Sequence, residues 1–332
     1  MRLKISEAER RQAEQDIRSS EDIIIELLRN SRDAGAQNIY IALSKTDDLR
    51  SILILDDGAG IPSSHFEEIF EPRVTSKLDT SHMDKWGIHG RGMALYSIST
   101  HAISAKVACS TPEKGTSISI ETSLKTLPEK TDQSTFPHFE VTHDGAYSMR
   151  GPKNILRVAA EFALEHRKDC NVYCGSHAEI LATLYKHSMR VTTPAQRAFG
   201  TENDAPSIIY KAAFAADANQ LASFANELGI NLSARTCRRI LDNEIDSLPS
   251  LLERIHDESM PRQKKSERRM DALLRDHRSI QLDNEDIELL SNAITDALST
   301  IAEKHYMEPQ IKPEIKVGSG KISITIPVQL QH

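Results

Sequence analysis

Along the first 122 residues the apolar positions change spacing several times. Residues 6–31 carry a helical period, with Ser6 as a cap and Glu9 three places on. The pattern breaks near Arg18–Ser20, where Ser20 can cap a second helix that holds Ile23, Ile24 and Ile25. Gly35 suits a left-handed stop after it. Ile39–Leu43 and Ser51–Leu55 read as strands joined by the polar turn 45–50, and Ala102–Cys109 and Thr116–Glu121 as two more. Pro62–Phe70 places Phe66, Ile69 and Phe70 on one stripe and predicts a short helix. Residues 71–92 are polar for longer than a plain connector in a compact domain needs.

Beyond residue 124 the pattern is mainly helical. Lys125–Thr135 is a polar connector. Lys153–His166 has Ile155, Val158, Ala159, Phe162 and Ala163 on one face. Asn171–Cys174 is strand-like, Glu179–His187 fits strand or helix, and 192–207 reads as a loop. Gln220–Leu228, Thr236–Ile245 and Asn284–His305 are helical, and Pro313–Leu330 is a hairpin around Gly318 and Gly320. Repeats and low-complexity tracts are absent from the sequence.

Three stretches carry candidate chemistry. Glu26 and Asn30 lie four apart on a largely apolar helix, so they share one face and need partners there. LILDDGAGI (53–61) is a strand that ends in Asp56, Asp57, Gly58 and Gly60, a tight turn that a flat ligand could approach. GIHGRGMALYSI (87–98) is a glycine loop running into a helix, whose start can hold phosphate oxygens.

In this order the motifs ELLRNSRDAGA (26–36), DDGAGI (56–61), HGRGMAL (89–95) and KGTSISI (114–120) resemble the GHKL superfamily of ATP-binding proteins, which includes gyrase subunits, the ninety-kilodalton heat-shock chaperone, histidine kinases and MutL-type proteins. The resemblance covers residues 20–122, and its feel is nearest to the MutL type. It implies an α+β fold: an N-terminal two-layer α/β sandwich, followed by a mixed, largely helical C-terminal region. The expected divisions are an ATP-binding domain at 1–124, a transducer-like segment at 125–200 and a mainly helical region at 201–332 that ends in a hairpin. The helix type PKNILRVAAEFALEH (152–166) faintly resembles the second domain of MutL-type proteins.

The same resemblance assigns roles. Glu26 is implied as the general base for water, Asn30 as the Mg²⁺ ligand and Asp56 as acceptor for the adenine amino group; Asp33, Gly58 and Gly60 support the pocket, and Thr116 reaches adenine through water. Asp57 reads better as a turn-forming acid. Residues 71–92 are the implied lid, with Lys77, Gly90, Arg91 and Gly92 at the phosphates; Trp86 is the only tryptophan and packs the lid. Thr75-Ser76-Lys77 follows the MutL pattern and IFEP (69–72) the histidine-kinase one. Closure would bury apolar lid groups on the second domain or on a second subunit, making ATP a signal for rearrangement or homodimerisation. A second-domain lysine at the terminal phosphate has four candidates: Lys153, Lys211, Lys312 and Lys316. His82, His89 and Asp84 are too irregularly spaced for a metal site.

The composition narrows the alternatives. The 332 residues are 39% hydrophobic and 27% charged, with net charge -7 and pI near 6.0, against wholesale polyanion binding. With no apolar run of about 18 residues and no signal-like start, a cytoplasmic protein is expected, with Cys109, Cys170, Cys174 and Cys237 as reduced thiols. The first reading is an Mg-dependent ATPase switch with an unknown protein client. A histidine-kinase-type enzyme would need a phosphoacceptor histidine ahead of the first motif, where this sequence has none. A nucleic-acid-binding module tuned by ATP rests on Arg235, Arg238 and Arg239 and on Arg262, Lys264, Lys265, Arg268 and Arg269.

Overall fold

Helix α1 (Ser20–Asp33) opens the fold, and its cap is Ser19 rather than Ser20. Asp22 explains the shift: its carboxylate accepts from the backbone N–H groups of Ser19 at 3.0 Å and Arg18 at 2.8 Å. Gly35, at φ +76°, turns the chain out of the helix as expected. The computed structural model describes residues 15–72, 82–84, 87–89, 93–141, 147–259, 284–305, 313–318 and 321–326.

Strands β1 (Asn38–Thr46) and β2 (Leu49–Asp56) form a hairpin. In place of the predicted helix at 62–70 stand two 3-10 turns, Ser63–His65 and Glu68–Phe70; neither buries a residue, so nothing offsets the cost of nucleating a longer helix. Strands β3 (His82–Asp84) and β4 (Gly87–His89) pair with each other. Then come α2 (Ala94–His101), β5 (Ser104–Thr111), β6 (Gly115–Ser123), the pair β7 (His138–Val141) and β8 (Tyr147–Arg150), α3 (Ile155–Glu165) and β9 (Asn171–Ser176). Residues 177–191 form helix α4, settling that stretch in favour of helix. The expected loop at 192–207 holds α5 (Pro194–Phe199), begun by Pro194 and a capping box of Thr193 with Gln196. A 3-10 turn at Ile208–Phe214, α6 (Ala218–Glu227), α7 (Ala234–Leu241) and α8 (Leu251–Ser259) follow.

The main sheet has the order β5-β6-β2-β1-β9, antiparallel except for β9, which runs parallel to β1 and sets Val172 opposite Ile39 and Cys174 opposite Ile41. Alternation along the strands divides the core between two faces. Ile39, Ile41, Ile52, Ile54, Ile118 and Ile120 pack with α1 and α3. Tyr40, Ala42, Leu53, Leu55 and Tyr173 pack with α4, the 208–214 turn, α6 and α7. The expected sandwich is therefore present, and residues 177–241 add a helical layer on its other face.

Compact units do not follow the expected divisions at 124 and 200. Residues 1–259 form one unit and 260–332 another. The reason is β9, which completes the sheet begun by β1 and β2. The second unit contains α9 (Asn284–His305) and the hairpin of β10 (Glu314–Gly318) with β11 (Lys321–Thr325), both at their predicted places. Among the described residues no helix is long and apolar enough to cross a membrane.

Candidate functional site

Helix α1 is buried on most sides: Ile23, Ile24, Leu27 and Leu28 are at most 1% exposed. Glu26, Asn30 and Asp33 fall on the partly open stripe that remains. Glu26 is ion-paired with the buried Arg29 through its Oε1. The Nδ2 of Asn30 is buried without a hydrogen-bond partner. Asp33 accepts from Arg32 at 2.7 and 3.0 Å, and Arg32 also meets His166 Nε2 at 3.0 Å, which ties the end of α1 to the end of α3.

Asp56 ends β2 directly opposite Thr116 of β6. It is 5% exposed; Ser31 Oγ donates to its Oδ2 at 2.9 Å and the Gly58 N–H to its Oδ1 at 3.0 Å. Burial pushes its carboxyl up to about 6, against the lowering by those two donors. The loop that follows is fastened on both sides: Ala59 N–H donates to Ala34 at 2.9 Å, and Glu113 N–H to Ala59 at 2.7 Å. Gly60, at φ +70°, lies so close to the next turn that a Cβ there would come within 2.0 Å of the Thr111 carbonyl oxygen. Its glycine thus serves approach by the protein's own backbone, not by a flat ligand. Gly115, at φ +99°, does the same against the Asp56 carbonyl, at 2.1 Å. Helix end, DDGAGI loop and KGT turn are thereby locked together around Asp56.

This arrangement suits a nucleotide with a divalent cation. A buried carboxylate can accept from an amine, and an amide oxygen such as that of Asn30 can serve a hard cation. Among the described residues no three His, Cys, Asp or Glu cluster as a metal site, and Mg²⁺ on a nucleotide asks for few protein ligands. The four cysteines are unpaired, and burial pushes Cys174 up to about 12, so it is no thiolate ligand at neutral pH. A groove of about 520 Å³ lies elsewhere, lined by Ser51, Lys106, Ser119, Glu121 and His177; its mixed charge points to no ligand.

The profile of the family described as "Histidine kinase-, DNA gyrase B-, and HSP90-like ATPase" matches residues 17–143. Residues 17–143 belong to the GHKL superfamily of ATPases. The chain is also similar to DNA mismatch repair protein MutL of Clostridium acetobutylicum, at 31% identity over 175 residues, or 52% of this chain and 28% of that one. With MutL of Staphylococcus aureus strain Newman it shares 34% over 119 residues, 34% of this chain and 17% of that one. The chain thus spans less than a third of the MutL proteins it matches. The solved N-terminal domain of a DNA repair protein overlaps 47% of this chain and 59% of its own, at 20% identity and a TM-score of 0.27, too low to add to the assignment.

Within the GHKL segment, Ser31, Asp56, Gly58 and Thr116 come together, with Glu26, Asn30 and Asp33 along the adjoining helix. Lys77, Gly90, Arg91, Gly92 and Trp86 lie outside the described residues, as does the basic run at 262–269. Lys211 belongs to the layer on the sheet's other face and pairs with Glu227 at 3.4 Å. Sequence reasoning missed Arg29, Ser31 and Ser110. Ser110 Oγ accepts from Ile61 N–H at 2.7 Å, donates to the Gly115 carbonyl at 2.9 Å and lies 3.1 Å from Thr116 Oγ1. Ser31 was legible inside ELLRNSRDA, one place after Asn30; nothing in the sequence marked Ser110.

Proposed function

We propose that this chain binds ATP with Mg²⁺ on the open stripe of α1 and hydrolyses it slowly. The observation that carries the reading is the buried Asp56 carboxylate, held by Ser31 and Gly58 opposite Thr116 and suited to accept from the adenine amino group. Asn30 would hold the Mg²⁺, which supplies charge neutralisation at the phosphates. Glu26 takes the proton of the attacking water as its oxygen bonds the terminal phosphorus, while the bridging bond breaks with its electron pair on ADP. Asp33 and the glycines support the pocket, and residues 71–92, with Lys77, Gly90, Arg91 and Gly92, close over the phosphates as a switch for rearrangement or homodimerisation. A MutL-like role with a protein client follows from the same reading. ATP turnover by the purified chain tests it: Glu26→Ala should keep binding a non-hydrolysable analogue and lose about 10²- to 10⁴-fold in turnover. Turnover at the wild-type rate in that variant would remove Glu26 as the base.

A second reading, nucleic-acid contact, draws on Arg235, Arg238 and Arg239, all exposed on α7. Arg239 already pairs with Glu244 at 3.1 Å. A filter-binding titration against salt, with Arg235 and Arg238 changed to Ala, would separate the two.

A further inference from the structure

Arg29 is the buried charged residue of the α1 motif. Its side chain is 4% exposed, and it lies on the helix turn that also carries Glu26 and Asn30. A buried guanidinium needs matched charge, and Glu26, at 20% side-chain exposure, supplies it through Oε1. The pairing spans three residues of one helix, so both groups are carried on the same rigid element.

We propose that Arg29 is a positioning residue for Glu26, fixing the carboxylate that takes the proton from water. The inference rests on the reading of Glu26 as the general base. Two consequences of the ion pair oppose each other. A guanidinium beside a carboxylate favours its charged form and so weakens it as a base, a loss that the rate feels only in part. A misplacement of the base by about 1 Å costs roughly 10²-fold. Placement outweighs basicity, so the buried arginine is a net gain for turnover. It acts only through Glu26: no step of the hydrolysis passes a proton or a bond to the guanidinium itself. Lysine is a poor substitute, because its ammonium is a point charge without the planar fork.

The test uses the full chain with Arg29→Met, Arg29→Lys, Glu26→Ala and the double variant Glu26→Ala/Arg29→Met. Turnover is measured beside affinity and stoichiometry for a non-hydrolysable ATP analogue by calorimetry. Arg29→Met should lose about 10- to 100-fold in kcat while keeping full stoichiometry and an affinity within about threefold of wild type. Arg29→Lys should fall between Met and wild type, and it decides the matter alone if the Met variant does not fold. In the Glu26→Ala background Arg29→Met should change nothing further, since the group it positions is gone. Unchanged kcat in both arginine variants, a parallel fall of affinity and stoichiometry, or a further loss in the double variant would overturn the inference. Wild-type turnover in Glu26→Ala would instead overturn the base reading, and is told apart because it appears before Arg29 is touched.

Discussion

Asp56 and Asp57 are adjacent, yet the two faces of the sheet treat them differently. On the α1 face Asp56 is buried beside two donors, and its carboxyl is pushed up to about 6. Asp57 accepts from the backbone N–H groups of Gln37 and Asn38 and from Asn38 Nδ2, each at 2.8 Å, and from Tyr210 Oη at 3.4 Å. The layer on Tyr210's side closes its polar groups on one another: Tyr40 Oη lies 2.8 Å from His187 Nδ1, and the Tyr40 and Tyr173 rings stack at 4.8 Å. Polar groups there hold the start of β1 and the helical layer. Those beneath α1 keep unmet capacity, as the buried Asn30 Nδ2 does. The difference teaches that two neighbouring acids in the sequence take separate tasks from the faces they meet.

The comparison can be broken most directly by exchanging each carboxylate for an amide. Asp56→Asn should lower ATP affinity by roughly 100-fold, because the amide cannot accept from Ser31, Gly58 and the adenine amine together. Asp57→Asn should leave the affinity of the folded protein unchanged and cost about 1–3 kcal/mol of stability in denaturant titration. Equal losses of affinity in the two variants would mean that the faces are not functionally distinct.

A pH series sharpens the same contrast. Asp56 has its folded pKa raised from 3.8 to about 6, so in the nucleotide-free protein its contribution to stability is fully present below the unfolded value and is lost as pH rises through the folded one. Relative to wild type, Asp56→Asn should therefore gain about 2.5 kcal/mol between about pH 4 and about pH 7.5. A flat difference between the two proteins across that window would deny the raised pKa.

The smallest effect is expected at Tyr210→Phe. Its hydroxyl reaches Asp57 only at 3.4 Å, so removing it should cost less than about 1 kcal/mol and leave ATP affinity alone. A large loss of affinity would show that the opposite layer controls the pocket.

Much of this was readable from local pattern. Periods of two and 3.6 residues located α1, β1, β2, β6, α3 and α9, because those elements bury one face and expose or share the other. The stripe of Glu26, Asn30 and Asp33 needed only helical spacing. Asp57's structural character was also inferred from sequence, but its partners were not, since Gln37, Asn38 and Tyr210 are far from it along the chain. The cap of α1 was misplaced by one residue, and the short helix at 194–199 was read as loop, because a cap depends on which side chain reaches which N–H, within one or two residues.

By itself, then, the sequence determined the motif helix, the strand ends and the turns whose glycines their φ angles require, since these follow from short-range sterics and spacing. Only the tertiary structure decided that β9 joins the sheet across the expected boundary at 124, that residues 177–241 cover its other face, and that the packing around α1 buries Arg29. Each of these depends on pairing or burial between residues distant in the chain, and a local pattern carries no record of which distant surface will exclude water from it.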